Sequence, residues 1–172
     1  MNEALEVLYT RRSIRRYKPE QISREEMEAV IQAGVRAASG KNGQSAIIVA
    51  VQDKETRDLL SRLNAEVLGV HSDPFYGAPT VLIVLADAKS PYVVEDGSLV
   101  LGNLMNAAKA IGLGSCWINR AKEVFASDEG KALLKKWGIE GEWIGVGNCI
   151  LGYPAEDPAM KPRKENNVYY VL

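Results

Sequence analysis

Residues 95–111 read EDGSLVLGNLMNAAKAI, and the architecture follows from how this stretch is packed. Its spacing predicts a helix from Glu95 to Ile111. Leu99, Val100, Leu101, Leu104, Met105, Ala107, Ala108 and Ile111 surround the axis, while Glu95, Asp96 and Lys109 are its only charged residues. A helix that is apolar all round has no face to give to solvent, so it must be covered on several sides. Gly97, Ser98, Gly102, Ala107 and Ala108 permit a neighbour to approach closely, and a second copy of the chain supplies cover that a single domain of 172 residues lacks. The expectation is an obligate homodimer.

Apolar runs of strand length lie to either side. Ala46–Val51 and Pro79–Ala86 precede the helix, Ser115–Ile118 and Trp143–Leu151 follow it, and the first two lack alternation, as strands covered on both faces do. Helical segments fall between them. Asn2 can cap a short first helix carrying Leu5, Val7 and Leu8. Ser23 with Glu26 forms a capping box ahead of Met27, Val30, Ile31, Val35 and Ala38. Lys54–Asn64 reads as a charged amphipathic helix, and Ala121–Trp137 as another with a break near Ser127. Ser39–Gln44 and Ala65–Ala78 read as loops. With no repeat or linker, residues 1–172 form one α/β layered domain, and 152–172 a polar arm whose apolar end, Val168–Leu172, can add a strand to a sheet edge.

Composition narrows the classes of function. Lys and Arg number 21 against 22 Asp and Glu, a net charge of −1, so any anion site is local rather than global. Two cysteines, Cys116 and Cys149, and one histidine, His71, supply neither a disulfide framework nor a metal-ligand set. No apolar run of about 18 residues is present, and Glu3 and Glu6 stand where a signal peptide carries positive charge. A reduced, cytoplasmic protein with neither membrane nor nucleic-acid partner is expected. Gly145-Val146-Gly147 lies inside a strand pattern, lacks a third glycine and opens no helix, which excludes a dinucleotide fingerprint.

Positive charge is concentrated at Arg11-Arg12-Ser13-Ile14-Arg15-Arg16-Tyr17-Lys18, where five basic residues fall within eight positions. Guanidinium forks and a hydroxyl in one reach suit a phosphate monoester, each charge-assisted hydrogen bond contributing about 1.5–3 kcal/mol. The bland alternative is a solvated helix end. Lys161 and Arg163, spaced by Pro162, make a second basic cluster that only the fold can bring to the first.

Four elements in order, Arg11-Arg12-Ser13-Ile14-Arg15-Arg16-Tyr17, Ala38-Ser39-Gly40-Lys41-Asn42-Gly43-Gln44, Gly112-Leu113-Gly114-Ser115-Cys116-Trp117-Ile118 and Lys161-Pro162-Arg163-Lys164, resemble nitroreductase-family flavoproteins over nearly the whole chain. The resemblance implies an α+β three-layer sandwich, a mostly antiparallel central sheet flanked by helices, assembled as an intertwined homodimer. It implies FMN as cofactor, NAD(P)H as reductant and a small electron-poor acceptor such as a nitroaromatic or quinone. By the same resemblance Arg11, Arg12 and Ser13 grip the phosphate and ribityl chain, and Arg15 faces the pyrimidine end. Ser39, Asn42 and Gln44 supply ring and ribityl partners from the second subunit, Lys161 and Arg163 clamp the phosphate, and Asn119 and Arg120 approach flavin N5 through the backbone.

A flavin sensor or carrier without turnover is the alternative reading, with a nucleic-acid module on Arg11–Lys18 behind it. Ser45-Ala46 replaces the Pro-Trp of many family members, which alters one pocket wall. Cys116 and Trp117 are equally readable as plain strand residues, and Phe75 and Tyr76 either cover the flavin face or pack their loop. His71 reads as a loop residue.

Overall fold

The computed structural model describes residues 2–172. The chain folds as α1 (Glu3–Thr10), α2 (Arg24–Gly34), a 3-10 turn (Gly40–Asn42), β1 (Ala46–Val51), α3 (Lys54–Leu68), β2 (Thr80–Asp87), α4 (Val93–Ala110), β3 (Gly114–Ile118), α5 (Ala121–Ala126), α6 (Asp128–Lys136) and β4 (Trp143–Gly152). The four strands form one fully antiparallel sheet in the order β1-β2-β4-β3. The central strand β2 is buried throughout its apolar length. Val81, Ile83 and Leu85 face the layer containing α3, α5 and α6, while Leu82 and Val84 face α2 and α4. Burying each such side chain contributes about 1.5–3 kcal/mol, which is why the sheet needs both helical layers.

The capping box at α2 forms as its spacing predicts, with Ser23 Oγ accepting from Glu26 N and Glu26 returning a carboxylate to Ser23 N. The expected break at Ser127 separates α5 from α6, and the Ser127 hydroxyl caps the second by accepting from Gly130 N. Two expectations are corrected. Helix α3 runs on to Leu68, past Asn64, and ends at Gly69, whose φ of 75° suits a left-handed cap. Within one chain Val168–Leu172 adds no strand, and its residues are exposed.

Glycines 145 and 147 are explained by close approach within β4. A Cβ at Gly145 would lie 2.2 Å from the Ala121 carbonyl oxygen, and one at Gly147 would lie 2.7 Å from Trp117 Nε1. Helix α4 buries Asp96, Gly97, Val100, Leu101, Leu104 and Ala108 against α2 and the sheet. Its other side leaves Val94 and Leu99 64% and 49% exposed, and Leu5 and Leu8 of α1, a helix that touches α4, are exposed as well. The helix is thus half covered within one chain.

Candidate active site

The basic run is not a helix end. Helix α1 stops at Thr10 and Arg11 is extended, with φ −57° and ψ 134°. Ser13 then forms a parallel bridge to Ser115 of β3, and Ile14 N–H donates to the Ser115 carbonyl at 3.0 Å. Lys18 N–H donates to the Tyr153 carbonyl and Ala155 N–H to that of Arg16, each at 2.9 Å, so residues 13–18 line the sheet like a partial fifth strand. Ile14 is the apolar anchor. Tyr17 donates its hydroxyl to the Ile14 carbonyl at 2.7 Å, and burial raises its pKa well above the ordinary phenol value. Arg15 and Arg16 face solvent, and Glu156 accepts from the Arg15 backbone N–H.

The two leading arginines differ. Arg12 folds back, its Nη1 donating to the carbonyls of Tyr9 at 2.9 Å and Arg11 at 2.7 Å, which satisfies the C-terminal end of α1. Arg11 carries its guanidinium inward, where Nη1 is buried without a hydrogen-bond partner among the described residues. A buried cationic donor left unpaired is costly, and such a group signals a missing acceptor. It borders a cavity of about 250 Å³, also lined by Arg12, Lys109, Ser115, Glu156 and Asp157. Arg11, Arg12, Lys109 and Ser115 give this cavity donors that suit a phosphate monoester, while the carboxylates of Glu156 and Asp157 on its rim oppose an anion.

The Ser39–Ser45 segment is built around a residue that periodicity did not single out. Asp96, 2% exposed on α4, accepts from Gly40 N–H at 2.7 Å through Oδ1 and from the Ser45 hydroxyl at 2.6 Å through Oδ2. Ser39 Oγ accepts from Gln44 N–H at 3.0 Å. Lys41, Asn42 and Gln44 hold left-handed φ angles of 52°, 55° and 48°, a conformation costing on the order of 1–3 kcal/mol per non-glycine residue unless the surroundings enforce it. The tie leaves Asn42 and Gln44 exposed, their amides 3.4 Å apart. An acid inside an otherwise apolar helix was the signal available in the sequence.

The third element is the turn after β3. Asn64 of α3, 1% exposed, donates Nδ2 to the Asn119 carbonyl at 2.8 Å and accepts at Oδ1 from Arg120 Nε at 2.9 Å. Asn148 of β4, also buried, donates to the Ile118 carbonyl at 3.2 Å and approaches that of Asn119 at 3.5 Å. Arg120 itself is left-handed, with φ of 75°. A polar residue on the buried stripe of α3, beside Leu60 and Leu63, is the trace that this arrangement leaves in the sequence.

The remaining expected residues separate. Lys161 and Arg163 lie in the exposed tail outside any helix or strand, and no hydrogen bond or ion pair among the described residues brings them to Arg11 within one chain. Phe75 is 1% exposed in the core, with Arg57 5.6 Å above its ring, so it does not cover a cofactor face. Its loop is tied by Asp73, which accepts from Ser61, Arg57, Phe75 N–H and Gly77 N–H. Burial pushes the Asp73 carboxyl upward, but these hydrogen bonds outweigh it and hold the pKa below the usual aspartate value. Tyr76 is exposed at the tip, and His71 is an exposed loop residue. Cys116 and Cys149 are free and buried on opposite faces of the sheet, and burial pushes the Cys149 thiol up to about 12.

A helix–sheet–helix layered domain with a buried, unpaired arginine at one sheet edge and a tightly held turn after the edge strand defines a class of cofactor-binding α+β proteins. The model of the nitroreductase family matches residues 8–72 and 66–153, and the chain belongs to that family. An Archaeoglobus fulgidus relative is 33% identical over 163 residues, covering 91% of this chain and 88% of its own. The NAD(P)H-dependent FMN reductase of Bacillus subtilis is 28% identical over 180 residues, covering 95% of this chain and 70% of its own. A nitroreductase from Bacteroides fragilis with bound FMN superposes with a TM-score of 0.90 at 27% identity, over the full length of both chains.

Proposed function

We propose that this chain is an FMN-dependent oxidoreductase that takes a hydride from NAD(P)H and delivers it to an electron-poor acceptor such as a nitroaromatic or a quinone. The observation that carries the reading is the buried, unpartnered Nη1 of Arg11, a residue that also lines a cavity at the end of the basic strip. Membership of the nitroreductase family, an FMN reductase among the relatives and an FMN-bound fold neighbour support it. Bound FMN supplies reversible two-electron chemistry. Arg11 and Ser13 hold its phosphate end, and Arg12, its Nη1 already engaged at α1, adds charge beside them. Arg15 presents a cation where negative charge gathers on reduction, and the Asn119–Arg120 turn presents backbone to the reacting edge.

The site is shared between two subunits in this reading. Exposed Val94 and Leu99 of α4 and Leu5 and Leu8 of α1 form the contact, and residues 152–172 are an arm that carries Lys161 and Arg163 to the partner's phosphate. Ser39, Asn42 and Gln44 reach the partner's cofactor from a loop already held in shape by Asp96. Buried free thiols suit a reducing cytoplasm, and no helix of the structure is long and apolar enough to cross a membrane.

Denaturing the purified protein and chromatographing the released chromophore tests the cofactor, with FMN expected and FAD, or no flavin uptake, refuting it. Oxidation of NADH or NADPH on addition of an acceptor then separates turnover from storage. Sedimentation velocity across a dilution series is expected to show a dimer throughout.

A further inference from the structure

We infer that Asn64 and Asn148 are positioning residues: a pair of buried amides that aims the Arg120 backbone N–H out of the protein and towards the reacting edge of the cofactor. The inference rests on the flavoprotein reading above and adds a role that belongs to no side chain at the reacting edge itself.

Peptide geometry sets the direction of the N–H. The Asn119 carbonyl and the Arg120 N–H belong to one planar trans unit, so they point in opposite directions. The Asn119 oxygen is drawn inward by Asn64 Nδ2 at 2.8 Å, from the helix layer, and by Asn148 Nδ2 at 3.5 Å, from the sheet. The Arg120 N–H must therefore face away from both, and it has no hydrogen-bond partner among the described residues. Turning this peptide over would bury the N–H against two amide donors and strand the carbonyl outside, so the arrangement has one favoured sense.

Arg120 completes the device. A non-glycine residue at φ 75° is strained, and the strain persists only where neighbours over-determine it. Arg120 Nε donates to Asn64 Oδ1 at 2.9 Å, so the same side chain that pulls the carbonyl in also pins the strained residue. Asn64 and Asn148 are 1% and 3% exposed, which keeps water from competing for these bonds. Both amide donors are spent within the protein. Their effect on the cofactor passes through the peptide they hold.

The test compares Asn64→Leu, Asn148→Leu and Asn64→Asp with wild type in the FMN-loaded dimer. The readouts are the flavin midpoint potential by spectroelectrochemistry and the FMN dissociation constant. Losing a fixed N–H donor is expected to change the ratio of binding to oxidised and reduced flavin about tenfold, which reads as about 30 mV for a two-electron couple. Affinity for FMN, set at the phosphate end, is expected to change less than threefold. Asn64→Asp retains an acceptor for Arg120 but has no amide donor for the Asn119 carbonyl, so it is expected to shift the potential as Asn64→Leu does, and it serves where the leucine variant does not fold. An unaltered potential in folded, FMN-loaded Asn64→Asp would overturn the inference while leaving the flavoprotein reading intact. Wild type that takes up no flavin would overturn that reading instead.

Discussion

Two arginines in different regions of the molecule leave opposite groups without a partner. Arg11, on the extended strip after α1, offers its side chain: one guanidinium N–H is buried and unpaired. Arg120, in the turn after β3, has its side chain engaged with Asn64 and offers its backbone N–H. In the proposed reading the strip meets a permanent charge and can rely on long cationic side chains whose attraction falls off slowly. In the same reading the turn meets atoms whose charge changes during reaction, where a short donor fixed in direction serves better than a flexible one. The Ser39–Ser45 loop follows the second design, with strained backbone held by a buried acid.

Breaking the backbone-held design is expected to cost most. Asp96→Ala leaves the Gly40 N–H and Ser45 hydroxyl without their acceptor and should lower folding stability by about 2–4 kcal/mol, measured by urea denaturation of the apoprotein. On the side-chain-held strip, Arg11→Ala should weaken FMN binding by about 1.5–3 kcal/mol, roughly ten- to a hundredfold in Kd by fluorescence titration. Arg163→Ala should do the same if the partner's arm completes the phosphate site, and an unchanged Kd would remove the arm from it.

Arg15→Ala sharpens the contrast between permanent and transient charge. Its guanidinium is exposed, so solvent screening reduces its influence to on the order of 1–1.5 kcal/mol. Anaerobic stopped flow should show flavin reduction slowed about tenfold, with FMN retained. The smallest effect is expected at Arg12, whose Nη1 already serves the end of α1. Arg12→Ala should reduce stability by about 0.5–1.5 kcal/mol and weaken FMN binding less than Arg11→Ala does, separating it from its neighbour.

Much of the frame was legible in residue order. The Ser23–Glu26 capping box, the apolar strand runs and the break at Ser127 are local features, each set by a few neighbouring residues, and they appear where their spacing puts them. The course of Arg11–Lys18 was not legible, because its extended form depends on hydrogen bonds to Ser115 and Tyr153, more than a hundred positions away. Asp96 and Asn64 were passed over for a related reason. Asp96 sits beside Glu95 at the start of α4, and Asn64 lies on a charged amphipathic helix, so only their buried partners distinguish a structural tie from an ordinary polar residue.

The sequence by itself determined the layered class of the fold, the family and the basic residues able to meet a phosphate, since composition, periodicity and short motifs encode all of these locally. Tertiary structure alone decided which arginine is left unpaired, which is spent on capping a helix, and which way the Asn119–Arg120 peptide faces. Those outcomes depend on which polar groups find partners when α3, β4 and the strip close on one another, and hydrogen-bond satisfaction belongs to the packed chain as a whole.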